Sequence, residues 1–291
     1  MKPQEFKEIT YQCDEATGIV TLTLNIPARK NALSGYTMHE LFHAAQWFDQ
    51  DEAASVMIIT GAVDPDNPDP RAHYFSSGGY YHPHDLSAHK LDITEDGLID
   101  LNQTKLITRL ITLKKPVIAA LNGCAIGAGI TLPLVGADLI YASDLCTIDF
   151  RFVKIGMTPE LSSSYLLPKI VGLQKAKELV YFGQKITAQE AEPLGIINGV
   201  VAHDELLDYC RERALELIPP RGVEHAIRRS KQAFNAPYIA EIEETLKFEN
   251  KGLNQCLSQP DMMEALLARI EKRDPVFRGE VDDPPPFELP G

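Results

Sequence analysis

Between Lys114 and Gly172 the chain passes from a doubly covered strand through a turn of small residues into an apolar helix and a second buried strand. No other stretch restricts the fold as much. Pro116 to Leu121 (PVIAAL) is apolar without alternation, the pattern of a strand buried on both faces. Asn122-Gly123 breaks it. Cys124 to Gly129 (CAIGAG) carries side chains small enough for a ligand to approach the backbone, and the amides that open the following helix have no intrahelical acceptor. Such amides suit an anion or a developing oxyanion. Ile130 to Val135 continues as an apolar helix, with Pro133 expected in its first turn or at a distortion. Asp138 to Ser143 (DLIYAS) reads as the next buried strand. Further on, Glu160 stands among Met157, Thr158, Pro159 and Leu161 as the only carboxylate between Asp149 and Glu178. Apolar surroundings raise a carboxyl pKa and equip the group to carry a proton. Taken singly, a small-residue turn is more often a packing junction and a lone Glu a solvated loop residue. Their order and spacing give them weight together.

The flanking sequence supplies more strands and helices. Thr17 to Asn25 alternates Ile, Val and Leu with Thr and is expected to pair with Ile9 to Cys13 as a hairpin. Ser34 is an N-cap for a helix with Met38, Leu41, Phe42, Ala45 and Phe48 on one face. Ser55 to Thr60 is a buried strand, and a proline-rich loop leads to Tyr74 to Gly79 (YFSSGG), a short strand running into a Gly pair. Leu98 to Leu113 reads as a helix. After Gly172, Leu173 to Tyr181 is helical, Thr187 to Ala191 carries the capping-box pattern, and Leu194 to Val201 is a turn plus strand. From Asp204 the pattern is helix after helix: LLDYCRERALELI, EHAIRRSKQAF, IAEIEETLKFENKGLNQCL and DMMEALLARIEKR. Alternating strands and helices imply a right-handed α/β core with a largely parallel sheet. The expected organisation is a core over 1–203, a helical region over 204–273 and an extended tail over 274–291, without an evident internal repeat.

Composition narrows the partners. A formal net charge of −13 on 291 residues argues against nonspecific nucleic-acid binding and against an anionic membrane surface. It leaves room for an anionic small ligand in a local basic pocket. Five scattered cysteines without a CxxC pair suit free thiols in a reducing compartment. The N-terminal residues lack a targeting pattern and no stretch suits a bilayer span, so a cytoplasmic location is expected. His39 and His43 lie one helical turn apart, and HPHD at 82–85 invites a metal reading. Packing histidines and a polar turn are the better readings, and no metal site is expected.

In order along the chain, RKNALS, IITG, FSSGG, KKPVIAALNGCAIGAG, DLIYASD, KIGMTPE with SSSYLLPKIVG, and TAQEAEPLGIINGVV resemble the enoyl-CoA hydratase/isomerase family, the crotonase superfamily. The resemblance reaches to about Gly279. It implies a crotonase-like spiral of ββα turns with a C-terminal helical region that mediates assembly as a homotrimer or hexamer. It also implies an acyl-CoA thioester substrate, CoA being part of that substrate and no further cofactor being needed. By matching FSSGG and AIGAG, the two family amides that hold the thioester oxygen fall on Gly79 and Ala128. The RKNAL segment suggests Arg29 or Lys30 for the CoA phosphates and the Ala28 backbone for adenine.

The carboxylates choose among the family's reactions. The two glutamates of the hydratases fall at Thr131 and Phe152 here, whereas Glu160 in TPELSS matches the single Glu of Δ3,Δ2-enoyl-CoA isomerases. Leu161 replaces the usual Gly after that Glu, and Gly78-Gly79-Tyr80-Tyr81 departs from the family run at the first turn. The first reading is an isomerase shifting a 3-enoyl-CoA to a 2-enoyl-CoA. The alternative is hydration, C–C hydrolysis or decarboxylation of a specialised acyl-CoA with Glu160 or Asp149 as base, or a non-catalytic acyl-CoA-binding homologue. A dinucleotide fold fails because GAGITL lacks the third Gly of its fingerprint, and a serine hydrolase fails because Ser162 to Ser164 lie in no GxSxG elbow.

Overall fold

The computed structural model describes residues 1–80, 100–257 and 259–279. HPHD, Tyr81, the start of the helix expected from Leu98 and most of the expected tail lie outside these residues. The apolar runs fold into one six-stranded sheet. Its strands are β1 (Ile9–Asp14), β2 (Ile19–Leu24), β3 (Val56–Gly61), β5 (Val117–Leu121), β7 (Leu139–Ser143) and β10 (Gly199–Val201). They lie in the order β1-β2-β3-β5-β7-β10, with β1 antiparallel to β2 and the remaining pairs parallel. Every residue of β3 and β5 is buried, as an unalternating sequence requires.

A second sheet, of which only the strand beginning at Tyr74 was expected, otherwise escaped the periodicity because its strands are three residues long. It contains β4 (Tyr74–Ser76), β6 (Cys124–Ile126), β8 (Thr147–Asp149) and β9 (Lys185–Thr187), in that order. Cys124 to Ile126, expected to belong to a turn, is therefore strand. Successive strands alternate between the two sheets: β3 then β4, β5 then β6, β7 then β8. A helix follows each of the first two pairs, α2 (Leu106–Ile111) and α3 (Ala128–Gly136), and α4 (Ser163–Val171) follows the third. This is a ββα spiral, a repeat of structure that the residues themselves do not repeat.

Helix α1 (Gly35–Gln50) starts where Ser34 predicts. The Ser34 Oγ accepts from the Thr37 amide at 3.1 Å, and Met38, Leu41, Ala45 and Phe48 enter the core. Met38, Leu41 and Phe48, once buried, each contribute roughly 1.5–3 kcal/mol. Pro133 lies in the second turn of α3, not the first. After α5 (Leu173–Phe182) and the short α6 (Ala188–Ala191), whose Thr187–Glu190 capping box forms as expected, come the C-terminal helices. Helix α7 (Leu206–Leu215) lays Leu206, Cys210 and Ala214 on Ile58, Ile118 and Tyr141, the far face of the large sheet. The two helices expected on either side of Ala236-Pro237 are one, α8 (Glu224–Leu257), followed by α9 (Pro260–Glu271). Pro237 removes a single donor from a 34-residue helix. Burial of Ile242 and Leu246 in the main core holds the segment beyond it. No described helix is long and apolar enough to cross a membrane.

The turn between β5 and β6 needs glycine. A methyl group at Gly123 would stand 2.2 Å from the His73 carbonyl oxygen, against the chain that leads into β4. Gly123→Ala is expected to lower stability by about 1–3 kcal/mol, read as a lower urea midpoint with an unchanged slope.

Candidate active site

Strands β4 and β6 run parallel, so the turns beyond their C-terminal ends meet at one edge of the small sheet. Gly78 has φ +91°, and a methyl group there would come 2.5 Å from the Ile126 carbonyl oxygen and 3.6 Å from the Ala128 nitrogen. Only glycine permits that approach. The Gly78 carbonyl accepts from Leu33 N at 2.8 Å, and Tyr80 N donates to the Leu33 carbonyl at 2.9 Å. Because the peptide is planar and trans, the Gly79 N–H points away from Leu33. Ala128 is the first residue of α3, so its N–H has no intrahelical acceptor. The structure thus brings the Gly79 and Ala128 turns together.

The segment carrying Ala28, Arg29 and Lys30 lies beside the first of these turns. Ser77 N donates to the Lys30 carbonyl at 3.0 Å, and Ser76 Oγ donates to the Asn31 carbonyl at 2.7 Å. Asn31, in the left-handed region at φ 51°, donates from Nδ2 to the Ala62 and Tyr74 carbonyls. Arg29 pairs with the buried Glu8, and its guanidinium lies 4.7 Å from the centre of the Tyr80 ring. Lys30 is exposed, with Nζ 5.0 Å from the Tyr74 ring centre, and Ala28 is exposed. His39 and His43 meet edge-on at 4.5 Å, and no cluster of three or more metal-type side chains exists among the described residues.

Glu160 sits on the turn that opens α4, and α4 packs against α3. Phe152 packs its ring against Gly127, with Cε1 3.7 Å from where a side chain there would start, and its carbonyl accepts from Met157 N at 3.0 Å. That short turn returns the chain toward the Gly127–Ala128 edge. Glu160 is buried, and its Oε2 accepts from Gln103 Nε2 at 3.0 Å. Gln103 belongs to a π-helical segment, Asp100–Lys105, leading into α2. The Glu160 carbonyl accepts from both Ser163 N and Ser163 Oγ.

The turn is strained. Leu161 (φ 56°) and Ser162 (φ 63°) are both left-handed, a conformation that costs roughly 1–2 kcal/mol for each non-glycine residue. Two features offset the cost. Leu161 is fully buried, and Glu249 from α8 accepts Ser162 N at 2.7 Å and Ser164 N at 2.8 Å. Thr131 and Phe152 are buried too, and the Thr131 hydroxyl has no partner among the described residues. Asp149 is buried with Oδ2 bound by Arg151, which leaves Oδ1 without a partner there.

Gln103 and Glu249 were absent from the sequence-derived site, although a signal for each exists. Glu249 falls on the Ile242, Leu246, Leu253 stripe of α8, and Gln103 stands three residues before Leu106 and seven before Leu110. A polar residue on an apolar face is informative where an apolar one is not.

The comparisons with known proteins agree with this architecture. The chain belongs to the enoyl-CoA hydratase/isomerase family, whose model matches residues 14–280. A short-chain-enoyl-CoA hydratase of Clostridium acetobutylicum is 31% identical over 256 residues, 88% of this chain and 92% of that protein. The fold is shared with an enoyl-CoA hydratase/isomerase of Pseudoalteromonas atlantica, with a TM-score of 0.80 at 24% identity over 94% of this chain and 100% of that one. A monofunctional enoyl-CoA isomerase of M. smegmatis has a TM-score of 0.63 at 27% identity, covering 80% of this chain and 94% of that one. Most of the similar proteins are named as hydratases. The mixed α/β fold is therefore the crotonase fold.

Burial pushes the Glu160 carboxyl up to about 7, the negative Glu249 adds to the rise, and the Gln103 hydrogen bond opposes it. Between the ordinary 4.5 and about 7 the unfolded chain has released a proton that the folded chain keeps. Stability therefore falls as pH rises through that window, and the loss is complete above it. Glu160→Gln removes the titration. It should be more stable than the native protein above neutrality, by on the order of 3 kcal/mol, and the difference should vanish toward about pH 4 in denaturant titrations.

Proposed function

We propose that the protein is an acyl-CoA isomerase that moves the double bond of a 3-enoyl-CoA into conjugation with its thioester. The observation that carries this reading is Glu160: a buried carboxyl raised to about 7, held at one oxygen by a neutral amide, on the turn that opens α4, the helix packed against α3 whose first residue is Ala128. As a carboxylate it takes the proton from C2, and negative charge develops on the thioester oxygen. The Gly79 and Ala128 amides stabilise that oxyanion, where loss of one donor costs roughly 10²–10³ in rate. The protonated Glu160 then returns the proton at C4. One carboxyl suffices because each proton it takes up is returned, with no net change across the cycle.

The neighbouring groups support this reading. The hydroxyl and ring at Thr131 and Phe152 cannot act as the acid and base of a paired-carboxylate hydration. Both Glu249 oxygens already accept backbone amides. The CoA end of the substrate is assigned to Ala28, Arg29 and Lys30, of which Lys30 is the exposed cation and Arg29 braces the Tyr80 end of the oxyanion turn through its contact with that ring.

A second reading, hydration or another crotonase-type reaction on a specialised acyl-CoA, is favoured by the hydratase names of most relatives. The two are separated by assaying trans-3-hexenoyl-CoA isomerisation beside crotonyl-CoA hydration. Isomerisation should be the faster reaction, should rise with pH through about 7 as Glu160 ionises, and should fall by at least about 10³-fold in Glu160→Gln. Faster hydration, or isomerisation unaffected by the substitution, would overturn the reading.

The helical region over 204–273 is assigned to assembly as a homotrimer or hexamer. Phe234 and Phe248 on α8 stand 74% and 81% exposed and would be available to such an interface. Light scattering coupled to size exclusion should return a mass of three or six chains, and a monomer would exclude the assignment.

A further inference from the structure

We propose that Glu249 is a positioning residue for Glu160: bound to the Ser162 and Ser164 amides, its carboxylate locks the left-handed Leu161–Ser162 turn that aims Glu160 at the substrate. The inference rests on the isomerase reading above. Its geometric basis is independent of that reading. Position 161, where the family pattern places glycine, holds a leucine at φ 56°, and the next residue is a serine at φ 63°. Neither tolerates the conformation as glycine does, so the turn persists only where its surroundings over-determine it. The Glu249 carboxylate supplies that determination with two charge-assisted bonds at 2.7 and 2.8 Å, from a helix 87 residues along the chain. Removing it would leave two buried or half-buried amides without an acceptor and let the turn relax, carrying Glu160 with it.

The same contact has an electrostatic consequence. Among the described residues Glu249 is the charged group that acts on Glu160. Gln103 on the π-helical segment is neutral, α3 carries no ionisable side chain, and on α4 the Lys169 ammonium lies over the Tyr165 and Tyr238 rings. Asn250, next to Glu249 on α8, donates to Thr104. Burial raises the Glu249 carboxyl too, the Ser162 and Ser164 bonds opposing that rise. Where Glu249 is ionised its charge opposes ionisation of Glu160, so a neutral isostere at 249 should let Glu160 ionise at lower pH.

The test uses the full chain with carboxyl-¹³C glutamate, the Glu160 signal being assigned by its loss in Glu160→Gln. In Glu249→Gln the Glu160 titration midpoint should move to lower pH than in the native protein. In Glu249→Ala the kcat for 3-hexenoyl-CoA should fall by on the order of 10²-fold with KM changed less than about twofold, and adding Ser162→Gly should restore part of it. If Glu249→Gln does not fold, Glu249→Gln with Ser162→Gly makes the same charge change on a turn without strain at 162. An unmoved midpoint, or a Glu249→Ala variant as active as the native protein, overturns the proposal. A midpoint that moves in Glu249→Gln, while the native protein isomerises nothing, leaves Glu249 in place as the clamp and removes the isomerase reading instead.

Discussion

The parallel pairing of two three-residue strands, β4 and β6, is the constraint on which the site depends. It delivers two turns to one edge, where Gly78 fits against Ile126 and Ala128 with no room for a side chain. The pairing is itself held from outside. Asn31 ties β4 to the end of β3, the Leu33 bridge fixes the peptides around Gly79, and Gly123 lets β6 start against the His73 carbonyl. The proposed oxyanion contacts, being backbone amides, have no side chains to reorient. Their precision has to come from the packing of the chain around them, and here that packing extends from β3 to α3.

Much of the large sheet was legible because burial on both faces writes itself as an unbroken apolar run, and β3, β5 and β7 each carry one. The small sheet was not. Three residues give neither a run nor an alternation, so β8 and β9 passed as connections and β6 as part of a turn. Pro237 misled in the opposite direction, suggesting two helices where tertiary packing sustains one. The spiral repeat left no mark in the local pattern, because its three turns share a path and not residues, and was expected only through the family resemblance.

The Glu160 environment divides along the same line. Its isolation among apolar neighbours could be read from the sequence, and the structure shows it buried. Its partner Gln103 lies 57 positions before it, and Glu249, which holds the adjoining Ser162, lies 87 positions beyond that serine, separations no local pattern reports. The family expectation of glycine after Glu160 also concealed something useful. Leu161 takes the glycine-like backbone conformation, so the departure changes what holds the turn and leaves its shape available.

The reach from Ser162 to Glu249 also sets an order in time. A ribosome adding about 5–20 residues per second needs several seconds to pass from the Glu160 turn to Glu249, and longer before α8 can leave the exit tunnel. Through that interval the nascent chain can complete both strands that lead into the Gly79 and Ala128 turns while the strained turn has no acceptor for Ser162 and Ser164. The Glu160 turn therefore gains its acceptors late in synthesis, from the C-terminal part of the chain acting on a segment made long before it.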